Sequence, residues 1–213
     1  MNAGKRKGIV YIACMGIGLL LLANHHLGES IGDSLLRAVG ISPWTGKYNS
    51  GFHLPVLPGF ALLVIGIIGT ARFYRPRYPK IMSRLVIGSI AFFIVLPNIT
   101  ETTMFFVKHE TKGTLSLDVT NVNCDIRSDG NEATADCQFK LYNYGKADRI
   151  SIKPVLQNEF SRQPAFEFES NILTLDPHSK HNLNMRFVGI QRNEEVGSST
   201  GYWRGTKLVY EVL

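Results

Sequence analysis

Five basic residues and no acidic residue lie in a single segment, Arg72-Phe-Tyr-Arg-Pro-Arg-Tyr-Pro-Lys-Ile-Met-Ser-Arg84. Apolar runs flank this segment at residues 54–73 and 85–96. Runs of this kind predict membrane spans. Because Lys and Arg resist translocation, a short basic loop between two spans stays in the cytoplasm. The cytoplasmic loop is therefore residues 72–84, and the residues that set the topology are Arg72, Arg75, Arg77, Lys80 and Arg84.

The positive charge of the chain is unevenly distributed. The 213 residues have a formal net charge of +6. Residues 107–213 hold 13 Lys and Arg against 14 Asp and Glu, whereas residues 1–106 hold ten basic and three acidic residues. The basic excess lies beside the apolar runs, where it fits membrane orientation and attraction to anionic lipid headgroups. A nucleic-acid-binding protein needs a basic face on a folded domain, so we expect membrane lipids as partners and no nucleic acid.

A third apolar run, residues 9–23, follows the basic N-terminal residues 1–7. We interpret it as the first of three spans, with the N-terminus in the cytoplasm. A basic head and a short apolar core also fit a signal peptide, and this alternative stays open. The bulky Leu21, two residues before Ala23, makes a poor cleavage context and favours an uncleaved helix. In both interpretations, residues 27–53 form an external loop.

A short amphipathic helix is predicted inside this external loop. Ile31, Leu35 and Val39 recur at four-residue spacing within residues 30–39. Such a helix lies on the membrane surface. The alternative is a surface loop that packs on the second domain, and both interpretations stay open at this point.

The other two spans contain residues of special character. Gly66 and Gly69 give the second span, residues 55–73, a smooth face that a neighbouring helix can approach closely. The third span begins at Leu85. If its helix continues far enough, Glu101 lies near the outer edge of the bilayer, where an ionisable group is a candidate for function.

From Thr114 onward, the pattern changes to alternation of apolar and polar residues, which is typical of half-buried strands. The clearest example is residues 133–141. About seven such strands follow one another. Turn signals separate them, among them Ser128-Asp-Gly-Asn131, Asn143-Tyr-Gly145 and Gly197-Ser-Ser-Thr-Gly201. Residues 108–213 are therefore predicted to form an antiparallel β-sandwich.

Three segments of this half carry a resemblance: Cys137-Gln-Phe-Lys-Leu-Tyr-Asn-Tyr-Gly145, Ile150-Ser-Ile152 and Leu173-Thr-Leu-Asp-Pro-His-Ser-Lys-His-Asn-Leu183. They resemble bacterial Ig-like domains, in which a strand often ends in Asn-x-Gly and a later Leu-x-Pro turn leads into the next strand. The resemblance covers about half of the chain. It implies an Ig-like fold and a habit of binding partners, without a specific activity.

Two cysteines flank the Gly130-Asn131 turn. If those two residues form a two-residue hairpin loop, Cys124 faces Cys137 across the ladder. A disulfide between them persists only in an oxidising compartment, which agrees with an external β domain. Two free thiols in a cytoplasmic domain are the alternative. The inward-pointing positions of the first strand change from odd to even near residues 120–121, which predicts a bulge there.

No phosphate-binding loop, nucleophile elbow or zinc-protease motif is present in the sequence, so we expect no enzyme activity and no cofactor. The candidate metal ligands are His25, His26 and His53, because all three fall at the outer ends of the first two spans. The segment His178-Ser-Lys-His181 also has a metal-like spacing, but it falls in a predicted solvated turn.

Aromatic residues that we expect to be exposed are the candidate contact residues of the β domain. Tyr and Trp supply large, rigid area to an interface. The candidates are Tyr142, Tyr144, Tyr202 and Trp203. Ordinary loop packing is the alternative for all four. Glu167 and Glu169 are expected on the outer face of their strand, around an inward Phe168.

The sequence thus predicts three transmembrane helices in residues 1–107 and an Ig-like antiparallel β-sandwich in residues 108–213, outside the cytoplasm of a bacterial-type cell. The first functional hypothesis is an accessory or assembly subunit of the cell envelope, whose β domain binds another envelope membrane protein. The alternative is a component of small-molecule or metal sensing or transport that uses His25, His26, His53 and Glu101.

Overall fold

A computed structural model of the chain describes residues 3–46, 50–129, 132–156, 166–191, 200–202 and 206–213. The chain divides into two compact units, Met1–Glu101 and Thr102–Leu213. Helices make up the first unit, and antiparallel strands make up most of the second. The division lies a few residues before Val107, where the long apolar runs of the sequence end. Phe105 therefore belongs to the second unit, and its ring lies 5.0 Å from that of Tyr144.

Four α-helices lie in the described residues: α1 (Ala3–Leu22), α2 (Ile31–Ala38), α3 (Val56–Tyr74) and α4 (Ile81–Val107). Among the residues described, α3 and α4 are long and apolar enough to cross a membrane. The prediction of three such helices is therefore borne out for two. The first helix differs because the basic residues 5–7 occupy its first turns and leave a shorter apolar stretch.

α1 and α3 pack against each other in antiparallel directions, through glycines. A β-carbon at Gly18 would lie 2.5 Å from the backbone nitrogen of Leu63, and one at Gly66 would overlap the backbone of Met15. Because glycine has no β-carbon, the two backbones approach closely at both positions. The smooth face formed by Gly66 and Gly69 thus packs on the chain's own first helix. α4 contacts α1 and α3 only sparsely in the part of the chain that the structure describes.

The short helix predicted in residues 30–39 is confirmed as α2, and a capping box begins it. The Ser30 hydroxyl accepts a hydrogen bond from the Asp33 backbone N–H at 3.1 Å. The Asp33 carboxylate in turn accepts one from the Ser30 backbone N–H at 2.8 Å. Two backbone donors at the helix start are satisfied in this way, which stabilises a helix of only eight residues.

The second unit contains two antiparallel sheets. The five-stranded sheet has the order β4-β6-β2-β1-β7, and the three-stranded sheet has the order β5-β3-β8. Only residues 169–170 separate β4 from β5, so the chain passes directly from an edge of one sheet to an edge of the other. The strands are β1 (Leu117–Asp129), β2 (Glu132–Asn143), β3 (Arg149–Leu156), β4 (Phe166–Phe168), β5 (Asn171–Thr174), β6 (Ser179–Gln191), β7 (Thr200–Tyr202) and β8 (Thr206–Val212).

The core of the second unit lies between these sheets. Ile126, Leu141 and Phe187 contribute from the larger sheet, and Ile150 and Ile152 from the smaller one; all five are buried. Their positions follow the period of two that alternation predicts for strands with one face toward a core. The antiparallel sheets expected from the sequence are therefore present.

The predicted hairpin, bulge and disulfide are all found. β1 pairs with β2 so that Cys124 lies opposite Cys137, and the two form a disulfide. The register shifts between Thr120 and Asn123, and Asn121 adopts a φ of 54°. This extra residue returns the alternation to phase, so inward positions on both sides of the bulge face the same core.

Strand boundaries differ from the prediction in two places. The first strand begins at Leu117, because a 3-10 turn, Gly113–Ser116, precedes it and leaves Leu115 exposed. The second difference is the three-residue strand β7, which falls in a segment predicted as a turn. A strand this short depends on pairing with β1 rather than on its own sequence.

Candidate functional site

One polar cluster joins α2 to the segment before α3; we call Ser30, Asp33, Trp44 and His53 the loop cluster. Asp33 is buried and accepts a hydrogen bond from Nε2 of His53. The rings of Trp44 and His53 lie 4.5 Å apart, and the two residues also form an isolated β-bridge. A buried carboxylate requires such partners, because an unpaired charge in an apolar setting is costly.

The pKa of Asp33 reports the same contacts. Burial by itself raises the pKa of this carboxyl, but the hydrogen bonds from the Ser30 backbone and from His53 favour the charged form. The net result is a pKa below the ordinary value of 3.8. Asp33 is therefore ionised at neutral pH and holds the His53 ring with its Nε2–H directed at the carboxylate.

The three histidines predicted as metal ligands are engaged separately. The rings of His25 and His26 lie 5.8 Å apart, with Nδ1 of His26 3.2 Å from the Thr100 hydroxyl. His53 belongs to the loop cluster instead. Within the described residues, no group of three His, Cys, Asp or Glu side chains could hold a metal ion. Glu101, the fourth residue of the sensing hypothesis, lies inside α4 and is half-buried.

The segment His178-Ser-Lys-His181 does not converge on a metal either. His178 stacks on His109 at 3.9 Å, and its Nδ1 lies 2.7 Å from the Tyr144 carbonyl oxygen. His181 instead contacts the Ser179 hydroxyl, 2.8 Å from its Nε2. The two histidines of the motif therefore have different partners.

The prediction that Tyr142 and Tyr144 are exposed contact residues is wrong. Their exposed fractions are 1% and 0%. The two rings stack at 5.6 Å, and Phe105 meets Tyr144 edge-on. Lys108 extends its ammonium group over Tyr144 at 4.9 Å, which is a cation–π contact. Helix α4 supplies Phe105, so strand alternation alone could not reveal that this end of β2 is covered on both faces.

The structure shows less about the other two aromatic candidates, Tyr202 and Trp203. Tyr202 lies in β7, whose pairing with β1 places it opposite Asp125. Trp203 lies outside the described residues. Their role as contact residues stays a prediction.

An exposed groove on the five-stranded sheet is a candidate site that the sequence motifs discussed above do not include. It has a volume of about 410 Å³, and we call it the acidic groove; its lining residues are Glu132, Glu167, Phe168, Glu169, Val188, Gly189 and Ile190.

The strand register brings the lining residues of the acidic groove together. Ile190 pairs with Glu132 on β2 and with Glu167 on β4, so an apolar side chain lies between two carboxylates. Val188 lies two residues away on the same face.

The two apolar side chains in this groove are largely exposed to solvent. Val188 and Ile190 are 52% and 57% exposed. As predicted, Glu167 and Glu169 are exposed around a buried Phe168. A signal was present in the sequence, because the run Phe187-Val-Gly-Ile190 interrupts the alternation with an apolar residue on each face.

The topology residues gather at one end of the first unit. Arg72 lies in the last turn of α3, Arg84 lies in the first turn of α4, and the other three are between the helices; all five are exposed. Because α1 is antiparallel to α3, Gly8 packs on Phe73 and Lys7 lies at the same end. The two basic segments of the helical unit are thus on one side.

Comparison with protein-family models, with curated proteins and with solved structures finds no match.

Proposed function

We propose that this chain is a three-span membrane protein that presents an Ig-like β-sandwich outside the cytoplasm and binds another envelope membrane protein through the acidic groove. The N-terminus and the basic loop are cytoplasmic in this proposal. The chain acts as an accessory or assembly subunit and performs no catalysis.

Membrane placement is supported by the apolar surface of the helices. Ile65 on α3 and Ile87 and Ile94 on α4 are more than half exposed, as are Ile9 and Ile17 on α1. An apolar surface this extensive is costly in water and is stabilised by lipid. The close antiparallel packing of α1 on α3 carries α1 into the same layer, although its apolar stretch is short.

Orientation is supported by the shared position of the basic segments. Arg6 and Lys7 lie at the same end of the helices as the basic loop, and the positive-inside rule assigns that end to the cytoplasm. α4 then carries the chain outward. The Cys124–Cys137 disulfide agrees with this direction, because such bonds persist in oxidising compartments.

The acidic groove is the observation that carries the binding proposal. Val188 and Ile190 present apolar area on an ordered sheet, and Glu132, Glu167 and Glu169 surround it with negative charge. A segment with an apolar side chain flanked by Lys or Arg complements both features. The proposed partner segment therefore has this composition.

Site-specific photo-crosslinking in intact cells tests the proposal. A photoreactive benzoylphenylalanine at Ile190 should give a discrete adduct with a membrane protein. The same residue at Ile172, which is 67% exposed on the three-stranded sheet, should not. Reversal of Glu132 and Glu167 to Lys should reduce the Ile190 adduct by about tenfold or more, because like charges would then face each other.

The outcome can contradict the proposal in two ways. Equal adducts from Ile190 and Ile172 would show that the crosslinker captures neighbours without selectivity. An Ile190 adduct that survives the charge reversal would show that the carboxylates do not recognise the partner.

Metal or small-molecule sensing through His25, His26, His53 and Glu101 stays a separate prediction. It requires the histidines to leave their present partners and converge. Metal analysis of purified protein, compared with the His25→Ala and His53→Ala variants, is the direct test.

A further inference from the structure

A groove runs between α1 and α3 at the end of the helical unit that carries the basic residues. Its volume is about 490 Å³, and its lining includes Lys7, Tyr11, Ile65, Ile68, Arg72 and Phe73. The cationic residues and the apolar ones occupy different parts of it. Lys7 and Arg72 lie toward the helix ends, whereas Ile68 and Ile65 lie one and two turns deeper than Arg72 along α3.

Packing of the two helices forms the wall of this groove. Tyr11 packs directly on Gly69, where a β-carbon would overlap the tyrosine ring. Ile65 and Ile68 are 53% and 40% exposed beside this contact. The deeper part of the groove is thus an apolar surface that the chain itself does not cover.

The two cations have no acidic neighbour along these helices. The acidic residues in the first 106 positions are Glu29, Asp33 and Glu101, and none falls within α1 or α3. Glu29 and Asp33 belong to the segment that follows the other end of α1. Lys7 and Arg72 are both exposed, so their charge is available to an external anion.

We propose that this groove binds one anionic phospholipid from the leaflet on the side of the basic loop. The Arg72 guanidinium provides paired donors that match phosphate oxygens, and the Lys7 ammonium adds a second positive charge. An acyl chain then lies along Tyr11, Ile65 and Ile68. Two cations on helices that contain no acidic residue favour a headgroup with net negative charge over a zwitterionic one.

This inference rests on the proposed placement of α1 and α3 in the membrane, but not on the orientation or on the acidic groove. Lipid binding is measured on purified protein, so its failure is distinguishable from failure of the crosslinking test above. The occupant is a lipid rather than a soluble anion, because the cavity continues from the cations into apolar surface.

Native mass spectrometry of the full chain in detergent is the test, with palmitoyl-oleoyl phosphatidylglycerol and palmitoyl-oleoyl phosphatidylcholine as probes. The unaltered protein should retain one phosphatidylglycerol at lipid concentrations where phosphatidylcholine is lost. The double variant Lys7→Gln/Arg72→Gln should weaken phosphatidylglycerol binding by about tenfold or more, since each charge-assisted contact contributes on that scale.

Arg77→Gln/Arg84→Gln is the matched control, because it removes two charges at the same end but outside the groove lining. It should retain the lipid. A second variant, Ile68→Trp, fills the apolar part without changing charge and should also weaken retention, whereas Ile87→Trp on the exposed face of α4 should not.

Two results would overturn the inference. Equal retention of the two lipids by the unaltered protein would exclude headgroup recognition. Equal loss in the Lys7/Arg72 variant and its matched control would show that only the general charge of this end matters.

Discussion

Asp33 makes two kinds of contact with one carboxylate. It closes the capping box with Ser30 through Oδ2 and pairs with His53 through Oδ1. The His53 ring also packs against the Trp44 ring, so the contacts of Asp33 connect α2 to the residues that precede α3. The capping contact is local, because Ser30 and Asp33 are only three positions apart in the chain. The partner His53 is 20 residues away, and no periodicity links the two.

We expect Asp33→Asn to loosen α2. The substitution weakens the cap and the contact to His53, which should destabilise this segment by about 1–2 kcal/mol. Hydrogen exchange of the α2 amides at neutral pH should therefore become about five- to thirtyfold faster. Ser34→Ala is the control, because Ser34 is exposed on the same helix; accelerated exchange in that variant as well would show that α2 is marginal for other reasons.

The stabilisation that Asp33 provides should be lost in acid. Its pKa in the folded protein is below 3.8, so its stabilising contribution is fully present above that pH and is lost as pH falls through the folded value. The difference in melting temperature between the unaltered protein and Asp33→Asn should shrink well below pH 3.8. A difference that stays constant into acid would contradict the role of the carboxylate charge.

Glycines determine how closely α1 and α3 approach each other. Gly16 and Gly66 lie on these two helices, yet a β-carbon would meet nothing within 4 Å at Gly16 and would overlap Met15 at Gly66. The sequence identified the smooth face of α3 because small residues recur there. It could not identify the helix that covers it, because helix partners are chosen by three-dimensional packing rather than by composition.

We expect Gly66→Ala to separate the helix pair. The added methyl overlaps the backbone of Met15, and overpacking of this kind costs about 1–3 kcal/mol. Thermal unfolding in detergent should show a lower melting temperature. Gly16→Ala should leave it unchanged or raise it, because alanine favours a helix over glycine by roughly 0.5–1 kcal/mol; equal losses in both variants would contradict the packing argument.

The hairpin of β1 and β2 should depend on its disulfide. Cys124 and Cys137 are 13 residues apart, and loss of a bond that closes a loop of this length should cost about 2–3 kcal/mol by chain entropy. Cys124→Ser/Cys137→Ser should lower the urea midpoint of the β unit, and a reductant should have the same effect on the unaltered protein. Cys14→Ser should have no such effect, since that thiol is free.

At the scale of the whole molecule, the direction of α4 decides where the β unit lies. The exposed loop residue Tyr78 and the exposed Lys112 fall on opposite sides of this helix in the chain. In a Cys14→Ser background, a membrane-impermeant maleimide should label Lys112→Cys in intact cells and should label Tyr78→Cys only after the cells are opened. The reverse pattern would place the β unit in the cytoplasm and remove its access to an envelope partner.

The sequence by itself determined the features that depend on neighbouring residues. Apolar runs, the short helix in residues 30–39, the disulfide pairing and the bulge near residue 121 all follow from helix or strand period and from local register. The sequence does not reveal the acidic groove, because the groove forms only where β2, β6 and β4 lie side by side. β4 pairs with β6 through residues that are far apart in the chain, such as Phe166 and Gln191.

Burial was the quantity that only the tertiary structure decided. Tyr142 and Val188 both occupy positions that alternation assigns to an outer face, yet the first is covered by Phe105 and the second is open. Whether an outward side chain meets solvent depends on segments distant in sequence, and their packing is a property of the folded chain. For the same reason, the groove between α1 and α3 exists only in the folded chain, where the two helices pack together.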